Sequence, residues 1–318
     1  MTSNYERRRN ARRLRGPESP RQQPHETLDC RQMILLSSHG CEWAADNACR
    51  HLQGQGLKSR VVRKPEPCEL KIMVGWYTRN GGEKLHRSEL LAAKRRVVWW
   101  VGTDILWLEQ DRRGVGWLNA NAHEHWAEWE ISAKRLEACG LKNVRVVHMP
   151  TRRLYRPLPL PAQFTVGVYG LDNHPVHQRY IALKAAKLTP WARWLAYPSR
   201  PRMENNVEYV SRVPADEMQN LYARMSVLVR IVAADGMPQG PMEAAMCGRP
   251  VLYNYAQLPH MIYLSPPTAE NLAAALKKIY ERQLAGKAYN LDGSEYWRSR
   301  NDPRKLVEQV QRVAASSQ

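Results

Sequence analysis

The chain has 318 residues, 43 % of them hydrophobic, enough to bury a sizeable core and long enough to predict about two domains, which excludes a wholly disordered protein. Lysine and arginine number 48 against 30 acidic residues, a formal charge of +18. Such a field predicts a polyanionic partner, whether nucleic acid, an acidic membrane surface or an anionic nucleotide, and binding that weakens with salt. The longest apolar run, "VVWWVGTDILWL" from Val97 to Leu108, is interrupted by Asp104 and falls short of the roughly 20 residues of a membrane span, so no transmembrane segment is expected. No apolar stretch follows the arginine-rich N-terminus closely enough to form a secretory signal, and a cytoplasmic location is expected.

In chain order, residues 1–32 form a basic arm carrying Arg7, Arg8, Arg9, Arg12, Arg13 and Arg15, either a nucleic-acid contact or a solvated tail. Residues 33–150 alternate short β-rich runs with helical patterns, the signature of a parallel sheet with crossover helices. "MILL" is the first strand and "SSHG" its turn, with a helix over Cys41 to Leu52 and a strand over Ser59 to Arg63. "KIMVGWY", a helix over Glu83 to Lys94 and "RVVWWVG" continue the sheet. A long helix over Asn121 to Cys139, ended by Gly140, leads to the strand "VRVVHMP".

Three prolines make residues 151–163 a linker. Residues 164–295 repeat the α/β alternation: "FTVGVYG", a helix over His177 to Lys187, "RWLAY", "NVEYV", a helix over Ala215 to Met225 and "SVLVRIV". A helix over Ala269 to Leu284 follows, and residues 296–318 form a C-terminal helix that could pack back on the first domain. The predicted fold class is therefore α/β, with two Rossmann-like domains.

The six cysteines, Cys30, Cys41, Cys49, Cys68, Cys139 and Cys247, are widely spaced and predict reduced thiols. His123, Glu124 and His125 lack the spacing that places two histidines on one helix face, so no metal is expected.

Most chemistry is concentrated in "DGMPQGPMEAAMCGRPVL", Asp235 to Leu252. Pro241 suits the first position of a short helix and Gly240 its cap, while Gly248 and Pro250 end it after Cys247. A helix this short chiefly presents its N-terminus, whose free N–H groups and dipole favour a diphosphate; Gly236 to Gly240 let the backbone approach the ligand. Asp235 and Glu243 flank that anion site and can accept hydrogen bonds from the diols of a ribose or hexose. Phosphate beside two diols describes a nucleotide sugar.

This stretch resembles the acid-x7-Glu signature of retaining GT-B glycosyltransferases, especially family four, with Asp235 where that family usually has Glu. "NVEYVSRVPADEMQNLYARMSVLVRI" is similar to the family's strand, turn, helix and strand before the signature. The resemblance implies a GT-B fold and a nucleotide-sugar co-substrate, such as a UDP-sugar, with no other cofactor. It further implies that Glu243 binds the donor ribose, that Asp235 contacts the transferred sugar, and that the backbone of Gly236, Met237 and Pro238 faces sugar and phosphates. The family's basic residue after the first strand of the second domain is replaced here by a choice among Arg179, His177 and Lys184; Arg179 is the chosen diphosphate partner, with Arg230 as the substitute.

On the first domain, His39 and Gly40 follow a strand at the cleft edge, and Asp104 does the same later, where it could orient or deprotonate the acceptor hydroxyl. Seven tryptophans in this half (Trp76, Trp99, Trp100, Trp107, Trp117, Trp126 and Trp129) form a core or offer faces for a base to stack on. With the basic arm, the second option predicts a virus-like enzyme of the host cytoplasm that glycosylates hydroxymethylpyrimidines in DNA. The alternatives are transfer to a polysaccharide or lipid-linked acceptor at a membrane surface, and a non-catalytic nucleic-acid-binding protein.

Overall fold

The computed structural model describes residues 33–77, 82–170 and 176–316. The arm with its six arginines, and Cys30, lie outside them.

Six parallel strands form the first sheet: β1 (Ile34–Ser37), β2 (Ser59–Val62), β3 (Cys68–Val74), β4 (Ala93–Trp100), β5 (Glu124–Ala127) and β6 (Val144–Val146). Their spatial order is β2-β1-β3-β4-β5-β6. The helices α1 (Glu42–Gly54), α2 (Gly82–Leu91), α3 (Thr103–Gln110), α4 (Val115–Asn121) and α5 (Glu130–Ala138) connect them. Apolar runs such as "MILL" are buried on both faces, as parallel strands between helix layers must be.

The second sheet has the order β13-β12-β11-β7-β8-β10-β9. Its strands are β7 (Thr165–Tyr169), β8 (Arg193–Tyr197), β9 (Arg202–Glu204), β10 (Val207–Tyr209), β11 (Val227–Arg230), β12 (Val251–Tyr253) and β13 (Ile262–Tyr263). Only β9 runs antiparallel, at the edge. Around it lie α6 (Arg179–Leu188), α7 (Met218–Ala223), α8 (Gln239–Met246), α9 (Ala269–Leu284) and α10 (Leu291–Arg300). The final helix, α11 (Pro303–Ala315), buries Leu306, Val310 and Val313 in the core formed by β1, β3, β4 and α1. Residues 151–163 contain no helix or strand.

Two expectations change. The helix expected over 121–139 is a helix end, a strand and a second helix. "HEHWAEW" contains good helix formers, but it fills the sheet position between β4 and β6, where His125, Trp126 and Ala127 become buried; packing outweighs propensity. The helix expected to reach Lys94 stops at Leu91, because Ala93 already pairs with Cys68 in β4. Of the two options for the tryptophans, the core one holds for Trp76, Trp99, Trp100, Trp126 and Trp129, which are at most 4 % exposed, with Trp99 and Trp126 in edge-to-face contact. They offer no surface for a nucleobase.

His123, Glu124 and His125 diverge: His123 accepts from the Arg96 N–H, Glu124 pairs with Arg312 and Arg145, and His125 lies beneath Trp100. Among the described residues no group of three or more metal-ligating side chains comes together. Cys41, Cys49, Cys68, Cys139 and Cys247 are buried free thiols.

Candidate active site

The carboxyl ends of the two sheets face each other. β11 delivers the chain to the loop 231–238, and α8 then starts at Gln239 with Pro238 as its cap, two residues before the expected start. The first helical bond runs from the Met242 N–H to the Pro238 carbonyl, 3.1 Å. Pro241 therefore sits inside the first turn, where a missing N–H leaves no helical bond unmade. At the other end Gly248 takes φ +76°, and its N–H and that of Arg249 close onto Ala245 and Ala244.

A cavity of about 510 Å³ opens at the α8 N-terminus, lined by Gly240, Glu243, Tyr222, Arg152 and Arg212, with Trp43 contributed by α1 of the first domain. Glu243 accepts a 2.8 Å hydrogen bond from the Tyr222 hydroxyl. Burial pushes its carboxyl up to about 7, against the opposing effects of that hydroxyl and the Arg152 charge. Arg152 and Arg212 form no ion pair among the described residues, and both border the cavity, where the Arg152 charge acts on Glu243.

Both cations chosen from the sequence are engaged elsewhere. Arg179 is 4 % exposed; it donates to the carbonyls of Gly170 and Pro198 and to the Ser199 hydroxyl, and lies over the Tyr209 ring. It ties together the ends of β7 and β8 and is not the expected open diphosphate partner. Arg230 forks onto Asp235 at 2.6 and 2.8 Å above the Tyr169 ring, and its Nη1 is buried without a hydrogen-bond partner. Asp235, its side chain 11 % exposed, also accepts from the Tyr253 hydroxyl at 3.2 Å. It meets the cleft as one end of an ion pair, not as the free carboxylate the resemblance implies.

The loops of the two sheets touch at glycine. A Cβ on Gly236 would lie 2.8 Å from the Gly102 Cα, and one on Gly102, which has φ +119°, would lie 2.9 Å from the Gly236 nitrogen. Beside them Glu128, just past β5, accepts the Met237 N–H at 2.9 Å. Its carboxyl is pushed up to about 8 by burial and by the nearby charges of Asp104 and Asp235. Sequence reading missed Glu128 because its strand was hidden in the supposed long helix.

Asp104 is wholly buried and accepts from the N–H groups of Trp76, Val101 and Ile105. Burial raises its carboxyl to about 6, and those N–H bonds hold it from rising further. It organises the loops after β3 and β4, and this corrects its expected role as an acceptor base. His39 sits on the rim after β1, its side chain 25 % exposed and 3.0 Å from Glu89. Gly40 takes φ +106°, packed against Tyr77.

No protein-family model matches the sequence, and comparison with curated proteins finds no match. Solved structures do match. The chain is similar to Anabaena HepE in complex with UDP and glucose, with TM-score 0.68 and 15 % identity over 90 % of this chain and 100 % of that one. It is similar to sucrose-phosphate synthase of Thermosynechococcus elongatus, with TM-score 0.73 and 13 % identity over the same shares. The pneumococcal O-GlcNAc transferase GtfA in complex with UDP and GlcNAc gives TM-score 0.58 and 12 % identity over 77 % of this chain and 57 % of that one. The architecture is the GT-B fold, two Rossmann-like domains with their strand ends facing across a site.

Proposed function

We propose that the protein is a glycosyltransferase that takes its sugar from a nucleoside diphosphate sugar, in the first instance a UDP-sugar, and transfers it with retention to a saccharide hydroxyl. The observation that carries this reading is the cavity at the α8 N-terminus. Helix N–H groups, Arg152 and Arg212 offer an anion site, and Glu243 offers a carboxylate for a ribose diol. Two of the similar structures are complexes with UDP and glucose or with UDP and GlcNAc, which supports the donor class.

Three parts of the site have distinct tasks. The α8 end and the two arginines neutralise the departing diphosphate, Glu243 fixes the nucleoside, and the Gly236 to Pro238 backbone limits the space left for the sugar. Asp235 sets the position of Arg230, whose Nη1 is a buried donor without a partner.

The DNA reading relied on exposed tryptophans, and five of the seven are core residues. Its remaining support is the charge of +18, concentrated partly in residues 1–15 outside the described residues. Two experiments decide. Titration calorimetry with UDP and UDP-glucose should show binding that Glu243→Ala weakens; equal affinity in the variant would remove Glu243 from the nucleoside site. Incubation with a panel of nucleotide sugars, and either hydroxymethylated duplex DNA or oligosaccharides, followed by mass analysis, should add a hexose-sized mass to a saccharide. Addition to the modified base instead would restore the DNA reading, and deletion of residues 1–15 should then lower DNA affinity at low salt.

A further inference from the structure

We infer that a second pocket, beside α3 in the first domain, holds one sugar unit of the acceptor away from the reacting hydroxyl, so that the acceptor is a chain of sugar units and not a single one. That the bound saccharide is the acceptor rests on the transferase reading above; that the pocket takes a saccharide does not.

Both ends of α3 are tied to the second domain. At its start Gly102 packs on Gly236, and near its end Glu109 holds Arg135, whose Nη1 donates to the Tyr255 hydroxyl just past β12. α3 therefore runs along the boundary between the domains. Beside it lies a pocket of about 260 Å³, lined by Trp107, Asp111 and Arg113 of α3 and the turn after it, by Glu83 and Arg87 of α2, and by Trp76 after β3. It shares no lining residue with the donor cavity. Trp107 stands about 6 Å along the helix axis from Thr103, where α3 leaves the Gly102 contact.

The walls offer two kinds of contact. Trp107 is half-buried and meets Tyr77 edge-on at 5.2 Å, while Trp76 packs on Trp117 and His86 and closes the floor. Around these rings the charges are matched: Arg87 pairs with Glu83 and lies over the Trp117 ring, and Arg113 forks onto Asp111. The Arg87 Nε is a buried donor with no hydrogen-bond partner among the described residues. An anion would meet as many carboxylates as guanidinium groups here, whereas the donor cavity has two arginines against one acid. This balance disfavours a polyanion and suits an uncharged, strongly hydrogen-bonding ligand.

A pyranose is such a ligand. One of its faces presents C–H groups that pack on an aromatic ring, and its rim of hydroxyls both donates and accepts, which carboxylates and guanidinium groups satisfy together. At about half the volume of the donor cavity, the pocket has room for a sugar ring and not for a nucleotide. Its distance along α3, and its separation from the residues around Glu243, mean that the unit seated here is not the one whose hydroxyl attacks. The chain spans the two places, and binding at Trp107 holds the distant hydroxyl in position.

The test uses the full chain with glucose, maltose and maltotriose, and the matching N-acetylglucosamine series, read by saturation-transfer NMR for binding and by transfer from UDP-glucose for KM. In the series that accepts, KM should fall about tenfold from monosaccharide to trisaccharide, the contribution of one packed ring. Trp107→Ala should shrink that ratio to about twofold or less and Trp107→Phe should keep part of it, while the UDP Kd in calorimetry stays within about twofold in both. Asp111→Asn retains an acceptor for the Arg113 N–H, and with it the local fold, and should raise the trisaccharide KM about threefold. Equal KM for monosaccharide and trisaccharide, or a Trp107→Ala variant that keeps the length dependence, overturns the inference. So does a panel in which no saccharide gives a saturation-transfer signal, or a single-stranded oligonucleotide that displaces the trisaccharide. A protein that binds the trisaccharide through Trp107 but neither binds UDP nor hydrolyses UDP-glucose overturns the transferase reading and the acceptor role, and leaves the saccharide pocket standing.

Discussion

The loops that meet between the sheets, 231–238 after β11 and 101–104 after β4, solve opposite problems. The first prepares a helix end for a ligand: Pro238 caps α8, and Glu243 stands in its first two turns. The second satisfies itself, with Asp104 binding N–H groups of its own loop and of Trp76. One is open chemistry and the other is scaffold, yet each has a buried acid near a glycine, Glu243 beyond the first and Asp104 in the second. What separates them is whether neighbouring N–H groups already occupy the carboxylate.

The contact between these loops is the place to break the comparison. Gly102→Ala should have the largest effect, because the new Cβ meets the Gly236 backbone and the residue must hold φ +119°. A loss of about 3 kcal/mol in denaturant unfolding is expected, with donor binding lost as the loops separate. A stability change below about 0.5 kcal/mol would mean that the loops part freely. Glu243→Ala, on the open side, should weaken UDP binding by about 2 kcal/mol in calorimetry, the range for a hydrogen bond to a charged group. Its stability should change less than its affinity.

Smaller effects sharpen the electrostatics. Arg152→Ala and Arg212→Ala should each weaken UDP about tenfold and reduce the salt dependence of binding, whereas Arg179→Ala should act through stability. Loss of UDP affinity in Arg179→Ala without a change in Tm would reverse that assignment. The most pH-dependent effect belongs to Glu128, whose carboxyl is pushed by burial up to about 8 from an ordinary value of 4.5. The folded state binds the extra proton, so this group's contribution is fully present below about pH 4.5 and is lost as pH rises through 8. Glu128→Gln should flatten the fall in Tm across that window, leaving the variant more stable than wild type at pH 9. Parallel Tm profiles for the two proteins would show that Glu128 is not the group titrating.

The α/β alternation and the donor half of the site were legible in the sequence because their signals are local. Glycine, proline and acid spacing determine how α8 starts and stops, and the β7, β8 and β11 runs are apolar enough to stand out. β5 was not legible, since "EHWA" becomes a strand only where β4 and β6 leave a position between them. Glu128 was lost with it. The roles of Arg179 and Arg230 were missed for another reason: a guanidinium suits a carbonyl or an aspartate as well as a phosphate, and only the packed fold decides which it meets. The partner of His39 lies 50 residues away on α2, beyond the reach of any local pattern.

The return of α11 to the first domain bears on how the chain comes off the ribosome. Leu306, Val310 and Val313 complete the core around β1 and α1, so the first sheet is translated long before the helix that seals it. Until then, that apolar face is open and must be kept from other chains, while the second domain has already gathered all its own strands. The half made first is thus the half finished last.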